Sequence, residues 1–311
     1  MKLIIQIPCY NEEASLPVTL ADLPRQVPGF DAVEWLIIDD GSTDKTVDVA
    51  KAHGVDHIVR LPRNQGLARA FSAGLRACLG HGADVIVNTD ADNQYHAGDI
   101  PALVAPILEG RAEIVIGARP IDEIRHFSPA KKSLQKLGSW TVRLASNTNI
   151  PDAPSGFRAM SAQAAQELNV FSNYTYTLEM IIQAGQKGIP LTWVPVRINP
   201  ELRPSRLMRS TPHYILRSMM TIVRIFVIYR PFRFFFAIGA FLTFLGAFLG
   251  IRFLYFYFFT PKNVGMVQSL IFASILIGIG FQTITLAFIA DILSVNRRLL
   301  ERINKKLASK T

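Results

Sequence analysis

The chain has 311 residues, of which 50% are hydrophobic, and a net charge of +9 at pH 7; its mean hydropathy is +0.24 and its pI is about 9.7. It is too apolar for an ordinary soluble domain, and its two cysteines are too few for a disulfide framework and fit a reducing compartment. The apolar excess lies in residues 232–293, so the composition predicts a soluble domain followed by a membrane segment. The basic charge suits nucleic acid, an anionic membrane or a phosphorylated substrate equally.

The soluble part alternates between short apolar runs and helical patterns. The predicted strands cover residues 3–7, 34–39, 57–61, 84–89, 113–118 and 192–196. Between them, apolar residues recur at helical spacing, with Thr43 as an expected N-cap and Gly80 and Gly110 as expected stops. Strands rich in Ile and Val that alternate with helices predict an α/β, Rossmann-like domain with a mostly parallel sheet. Such sheets bind ligands outside the carboxyl ends of their strands.

The second half of the soluble part is less regular. Residues 128–147 have the pattern of a basic amphipathic helix, and residues 152–168 that of a Gly/Pro loop leading into a helix. Residues 176–188 predict a further helix, which ends at Gly188 and Pro190.

A basic and apolar stretch comes next. Arg217, Arg224 and Arg230 lie among large apolar residues. This pattern predicts interfacial amphipathic helices over residues 200–232, lying in the plane of a membrane with arginine head groups near phosphates. The alternative is a buried amphipathic helix of the soluble domain.

Two long apolar stretches close the sequence. Residues 234–259 and 267–292 can each span a hydrocarbon core of ~30 Å at about 1.5 Å per residue, and their short linker predicts a transmembrane hairpin. Basic residues on both outer flanks place both termini and the soluble domain in the cytoplasm. Arg252 lies within the first span; we favour a side chain that reaches the far membrane surface over one that faces the neighbouring helix.

Two carboxylates follow the predicted strand at 84–89. Asp90 and Asp92 stand one residue apart, with Asn93 and Gln94 directly behind them. Like charges this close repel each other, so a positive partner is expected. Mg²⁺ takes one or two protein carboxylates together with substrate phosphates, and the pair therefore fits a cation that bridges to a diphosphate. The alternative is an Asx-rich turn with capping aspartates.

Three motifs, IPCYNEE, IIDDGSTDKT and NTDADNQ, recur in order at strand ends. Together they resemble the family 2 glycosyltransferases of the GT-A fold, over residues 3–200. The resemblance implies that Asp90, Asp92 and Gln94 hold Mg²⁺ or Mn²⁺, and that Asp39 contacts the base. Asn93 stands where the family more usually has glycine. The nucleotide-sugar site that the resemblance implies consists of Pro8, Tyr10, Glu12, Asp39, Asp40, Asp90 and Ala91.

The branch of the family is indicated by other motifs. No tryptophan of the chain is preceded by arginine, so the Gln-x-x-Arg-Trp motif of the processive synthases is absent. The segments GAR, PSGFRAM and RPSRL, with the apolar hairpin, resemble the dolichyl- or polyprenyl-phosphate sugar synthases. This resemblance implies that Arg119 contacts phosphate near the metal and that Arg206 closes over the donor diphosphate. The predicted catalytic residues are therefore Asp92, Arg206 and Arg119.

The acceptor phosphate is expected at the basic helix of residues 128–147. Lys132, Lys136 and Ser139 lie where this branch has an arginine and a serine, and Ser133 is the alternative serine. The other interpretation of these lysines is a solvated helix face.

The sequence thus predicts an inverting, metal-dependent transferase that moves one sugar from a UDP- or GDP-linked donor to polyprenyl or dolichyl phosphate. It predicts an integral membrane protein that does not bind nucleic acid, and it leaves a homo-oligomer open. The alternatives are transfer to a neutral lipid such as diacylglycerol, a non-catalytic nucleotide-sugar sensor, and a small transporter or flippase subunit. The predicted segments are a cytoplasmic catalytic domain (1–199), interfacial helices (200–232), two transmembrane helices (233–293) and a basic cytoplasmic tail (294–311).

Overall fold

The computed structural model describes residues 1–121, 129–168, 176–200, 220, 223–224, 227, 230–259 and 267–308. The chain forms two compact units, Met1–Met219 and Met220–Thr311. The predicted interfacial helices at 200–232 lie almost wholly outside the described residues.

The first unit is built on one sheet. Its described strands are β1 (Lys2–Cys9), β2 (Ala32–Asp39), β3 (His57–Arg60), β4 (Val85–Asn88), β5 (Ile114–Ala118), β6 (Arg158–Ser161) and β7 (Leu191–Pro195). They lie in the order β3-β2-β1-β4-β6-β5-β7. Strand β6 is antiparallel to β4 and β5, and the other neighbours pair in parallel. The predicted α/β domain with a mostly parallel sheet is confirmed.

Helices connect the strands and bury the centre of the sheet. The described helices of this unit are α1 (Leu16–Asp22), α2 (Thr46–Ala52), α3 (Leu67–Gly80), α4 (Ile100–Leu108), α5 (Pro129–Ser146), α6 (Ala162–Glu167) and α7 (Thr177–Lys187). Strand β1 is buried from Leu3 to Cys9, and all of β4 is buried. Continuous burial is typical of strands that are covered on both faces, so the Ile- and Val-rich runs are explained by this position.

The structure corrects two local predictions. Residues 158–161, which were expected in a loop, form β6 between β4 and β5. Four residues are too few to show the alternation or apolar run that predicts a strand. Strand β6 is recognised only by its hydrogen bonds to β4 and β5. The expected N-cap at Thr43 is also wrong, because α2 begins at Thr46. The N–H of Thr43 instead donates to Oδ1 of Asn11 at 2.8 Å, which ties the loops after β1 and β2 together.

The second unit contains two long helices, α8 (Pro231–Phe259) and α9 (Val267–Ala308). Within the described residues, Pro231–Phe259 and Val267–Asn296 are long and apolar enough to cross a membrane. The helices pack closely at glycines: a Cβ added to Gly239 would lie 2.7 Å from Ile284, and one added to Gly246 would lie 2.8 Å from the carbonyl of Ala273. Small residues permit such backbone approach between membrane helices.

Candidate active site

The three sequence motifs meet at one edge of the sheet. Strands β1 and β2 pair so that Cys9 lies beside Asp39, and the N–H of Asp40 donates to the carbonyl of Cys9 at 2.8 Å. On the other side of β1, the N–H of Thr89 donates to the carbonyl of Gln6 at 3.1 Å. The residues that follow β1, β2 and β4 therefore share the carboxyl edge, where parallel sheets bind ligands.

Asp90 and Asp92 form a crowded carboxylate pair at this edge. Burial, together with the charge of Asp92, raises the pKa of Asp90 to about 7. The N–H of Gln94 donates to Oδ1 of Asp92 at 3.2 Å, which holds the turn after the pair. Ionisation of both carboxylates is therefore costly unless a positive charge lies between them.

A glycine backbone lies directly against Asp90. A Cβ built on Gly156 would be 2.7 Å from Oδ2 and 2.9 Å from Oδ1 of the Asp90 carboxylate. The N–H of Gly156 donates to the hydroxyl of Tyr95 at 2.8 Å, and its carbonyl accepts from Nδ2 of Asn88 at 2.9 Å. These bonds fix the backbone of Gly156, and its missing side chain leaves the space that the Asp90 carboxylate occupies.

Arg158 holds the loop that carries this glycine. Its side chain is fully buried, and it donates to the carbonyls of Ser155, Ala153 and Thr177, each at 2.7 Å. Burial lowers the pKa of Arg158 to about 10. The guanidinium therefore links the loop beside Asp90 to the start of α7.

Arg119 lies beside Gln94 of the predicted metal motif. Its Nε and Nη2 donate to the two oxygens of Asp152 at 2.7 and 3.0 Å, and its Nη1 donates to Oε1 of Gln94 at 3.2 Å. Burial opposes the charge, but Tyr95 and Asp152 raise the pKa of Arg119, so the guanidinium stays charged. A bidentate pair fixes its orientation as well as its charge, and we interpret Asp152 as the residue that orients Arg119.

The backbone conformation of Asn93 explains why asparagine can stand where the family more usually has glycine. Its φ is +55°, in the left-handed region that glycine, and next asparagine, adopts most readily. Its Nδ2 donates to Oδ2 of Asp22 at 2.8 Å. Asparagine therefore adopts a left-handed turn that glycine would also allow, and it adds a bond to α1.

Replacing Asn93 by alanine should lower the free energy of unfolding by about 1–2 kcal/mol. Alanine is strained at a positive φ, and it cannot make the hydrogen bond to Asp22. Asn93→Gly should cost less, since glycine accepts the same φ. Thermal unfolding of both variants in detergent measures this. Equal losses would mean that the bond to Asp22, and not the backbone conformation, decides the residue.

Asp39 and Asp40 differ in what they contact. Both oxygens of Asp40 accept backbone N–H groups, from Gln65 at 2.7 Å and Gly66 at 2.8 Å, so this carboxylate holds the loop after β3. Oδ1 of Asp39 accepts the N–H of Ser42 at 2.9 Å. The predicted base contact of Asp39 stays a prediction, and we assign Asp40 a positioning role.

Four other residues of the predicted nucleotide site differ in how far their side chains are exposed. Tyr10 is 41% exposed at this edge, whereas Pro8 is buried within β1. Glu12 is buried, and its Oε2 accepts the hydroxyl of Ser15 at 2.5 Å. Ala91 is buried, and its carbonyl accepts the hydroxyl of Thr19 at 2.9 Å. Of these four, Tyr10 offers the side-chain surface that a base or ribose can contact.

The donor set fits a hard divalent cation. Asp90, Asp92 and Gln94 offer carboxylate and amide oxygens, the ligands that Mg²⁺ and Mn²⁺ prefer. The described residues contain no group of three or more His, Cys, Asp or Glu that could hold a metal. The remaining ligands would therefore come from substrate phosphates and water.

Comparison with known proteins identifies the family. The model described as glycosyl transferase family 2 matches residues 4–168. The chain belongs to glycosyl transferase family 2. Among similar proteins, an undecaprenyl-phosphate mannosyltransferase of Micrococcus luteus is 29% identical and covers 67% of this chain and 88% of its own. An uncharacterized protein of Methanocaldococcus jannaschii is 31% identical and covers 63% of this chain and 81% of its own.

Solved structures confirm the fold of this family 2 glycosyltransferase. Glucosyl-3-phosphoglycerate synthase from Mycobacterium tuberculosis, in complex with phosphoglyceric acid, has a TM-score of 0.56 at 20% identity and covers 71% of this chain and 79% of its own. The same enzyme with Mn²⁺, uridine diphosphate and phosphoglyceric acid has a TM-score of 0.54, and the match covers 71% of this chain and 78% of that enzyme. The predicted GT-A architecture is confirmed, followed by two helices that could span a membrane.

The predicted acceptor residues of the family 2 glycosyltransferase lie on α5. Lys136 and Ser133 are exposed and Lys132 is half-buried. Ser139 is fully buried, and its hydroxyl accepts the N–H of Ala153 at 3.1 Å. We therefore assign Ser139 a positioning role and keep the two lysines as acceptor-phosphate candidates. Arg206 lies outside the described residues.

Sequence reasoning missed the supports of the site. The segment PSGFRAM resembles a family motif, but the motif predicts neither the contact of Gly156 with Asp90 nor the buried position of Arg158. Nothing in the sequence around Asp152 indicates that it pairs with Arg119. An arginine in an otherwise small and apolar segment is a weak signal, because its partners are carbonyl groups that carry no sequence signature.

Proposed function

We propose that this family 2 glycosyltransferase transfers one sugar from a nucleotide sugar to a polyprenyl or dolichyl phosphate at the cytoplasmic face of a membrane. The observation that carries the proposal is the combination, in one chain, of the Asp90–Asp92 pair at the sheet edge and two apolar helices of membrane-spanning length. The similarity to an undecaprenyl-phosphate mannosyltransferase supports a lipid phosphate as acceptor. Basic flanks on both sides of the hairpin favour cytoplasmic termini.

The residues of the site have distinct roles in this proposal. Asp90 and Asp92, with Gln94, would hold Mg²⁺ or Mn²⁺, which offsets negative charge on the leaving diphosphate. Arg119 is held by Asp152 at the same edge and offers further positive charge toward phosphate. Arg206 is the proposed clamp of the donor. Attack from the face opposite the leaving group inverts the anomeric configuration.

A lipid phosphate needs no general base. The second pKa of a phosphate monoester is about 6, so the group is mostly ionised at pH 7. It can therefore attack without losing a proton. Lys132 and Lys136 would hold it in line. Membrane helices supply proximity, because the acceptor cannot leave the bilayer.

The test is a screen of UDP- and GDP-linked sugars with the full chain in detergent. Transfer is expected to undecaprenyl phosphate with Mg²⁺ or Mn²⁺ present, and none to undecaprenol or diacylglycerol. Glu179, a buried carboxylate in the first turn of α7, is the candidate for the general base that a neutral acceptor would need. Because a phosphate acceptor needs no base, Glu179→Gln should keep substantial activity. Turnover of a neutral lipid together with an inactive but folded Glu179→Gln would favour the diacylglycerol alternative. Donor binding without any transfer would favour the sensor.

A further inference from the structure

The chain that leaves β7 runs back along the metal loop, which we define as residues 90–96. Ile198 forms an isolated antiparallel bridge with Tyr95, and the N–H of His96 donates to the carbonyl of Arg197 at 3.2 Å. The segment after β7 is therefore in direct backbone contact with the loop that carries the predicted metal ligands, although about a hundred residues of sequence separate the two.

Asn199 bonds to three consecutive carbonyl groups of the metal loop. Its backbone N–H donates to the carbonyl of Gln94 at 2.9 Å. Its Nδ2 donates to the carbonyl of Asn93 at 3.0 Å and to the carbonyl of Tyr95 at 3.4 Å. One half-buried residue thus holds the backbone of Gln94 and the backbone on both sides of it.

The side-chain contacts of Asn199 require a donor. Both of its partners are carbonyl groups, which only accept hydrogen bonds, and the amide NH₂ of asparagine has two hydrogens to give. Aspartate would place a further acceptor against the same carbonyl groups. Leucine has the same branched shape as asparagine but offers no donor, so it separates hydrogen bonding from the filling of space.

The backbone that Asn199 holds carries a predicted metal ligand. The N–H of Gln94 donates to Oδ1 of Asp92 at 3.2 Å, and Oε1 of Gln94 accepts from Nη1 of Arg119 at 3.2 Å. An amide oxygen has two lone pairs, so Oε1 can accept this bond and still face a cation. A shift of the backbone at Gln94 would change where Oε1 lies relative to the Asp92 carboxylate.

We propose that Asn199 is a positioning residue of the metal site, which holds the backbone at Gln94 so that Gln94 and Asp92 face one cation. The inference rests on the proposed function for the role of Gln94 as a metal ligand. It gives the segment after β7 a part in metal binding, although no atom of Asn199 need touch the metal. Groups that orient metal ligands in this way typically contribute about tenfold to a hundredfold in metal affinity.

The test is a titration of Mn²⁺ into the full chain in detergent, with UDP and in parallel with GDP, in which the electron paramagnetic resonance signal of free Mn²⁺ is followed. Asn199→Ala should raise the dissociation constant of Mn²⁺ by about tenfold or more, and Asn199→Leu should show the same loss. In the transfer assay the Mn²⁺ concentration for half-maximal rate should rise in parallel. The rate at saturating Mn²⁺ should fall much less, because excess metal fills the weakened site.

Arg197→Gln is the matched control. Nε and Nη2 of Arg197 donate to Oδ1 of Asp99 at 2.9 and 2.6 Å, so this side chain holds the residue before α4 and not the metal loop. The variant should lower the melting temperature about as much as Asn199→Ala does and leave the affinity for Mn²⁺ unchanged. A loss of Mn²⁺ affinity that follows the melting temperature across all three variants would mean general loosening and would overturn the inference.

The other outcomes are equally decisive. Wild-type Mn²⁺ affinity in folded Asn199→Ala or Asn199→Leu, or loss of the fold in both, would overturn the inference. No binding of Mn²⁺ by the wild-type chain with either nucleotide would remove the metal site and the inference together. Weakened Mn²⁺ binding in the Asn199 variants of a chain that transfers no sugar to undecaprenyl phosphate would leave the inference standing and remove the proposed function.

Discussion

Replacing Asp92 by asparagine is expected to reduce sugar transfer by about a thousandfold or more while the domain stays folded. A divalent cation supplies several kcal/mol of charge stabilisation to a leaving diphosphate, and each factor of ten in rate corresponds to about 1.4 kcal/mol. An amide is a poorer ligand than a carboxylate, but it keeps the acceptor for the N–H of Gln94. The measurements are the rate at saturating donor and the binding of Mn²⁺ in the presence of UDP.

The melting temperature of Asp92→Asn without metal provides a second test. Burial is the largest cause of the raised pKa of Asp90, and the charge of Asp92 raises it further, so the two carboxylates repel each other in the metal-free protein. Asp92→Asn removes this repulsion, so the melting temperature without metal should be unchanged or higher. Asp84→Asn is the matched control, because Asp84 precedes the same strand at the opposite edge of the sheet and accepts the N–H of Lys2. Near wild-type transfer by Asp92→Asn would remove the metal assignment.

Replacing Gly156 by alanine is expected to lower the turnover number by about a hundredfold. The new Cβ would lie 2.7 Å from Oδ2 of Asp90, so the carboxylate must move, and a displacement near 1 Å at a reacting site costs about that factor. The backbone of Gly156 is held by Tyr95 and Asn88, which makes the carboxylate the easier group to shift. Turnover and the Mn²⁺ concentration for half-maximal rate are the quantities to measure.

Gly80→Ala provides the control for this substitution. An added Cβ at Gly80, the last residue of α3, meets nothing within 4 Å, so the variant should keep full activity. A wild-type rate for Gly156→Ala would show that Asp90 is free to leave its observed position without loss, and Asp90 would then not be a metal ligand.

Much of the catalytic half was predictable because its signals are local. The strands β1, β2 and β4 are apolar runs, and the residues that follow a parallel strand must lie at the carboxyl edge. The sequence alone therefore predicts that Asp39, Asp90 and Asp92 lie at the same edge of the sheet. The apolar helices were equally clear, because a span of hydrocarbon sets their length and composition.

The supports of the site were not predictable, because they depend on contacts between distant segments. Strand β6 has four residues, and only its two neighbours give it a pattern of hydrogen bonds. The charge of Arg158 is stabilised by three carbonyl groups, and any residue type can supply a carbonyl. Asp40 and Ser139 had the residue types of ligand contacts, but the structure directs their side chains to backbone N–H groups.

The sequence by itself determined the family of this protein, the edge of the sheet that carries its chemistry and the two apolar helices, since each depends on residue order along a single element. The tertiary structure decided which polar groups remain available at that edge. It occupied both oxygens of Asp40 and one oxygen of Asp39, paired Arg119 with Asp152 and placed Gly156 against Asp90. The physical reason is that a buried polar group must find a partner, and the identity of that partner is set by folding and not by its neighbours in the chain.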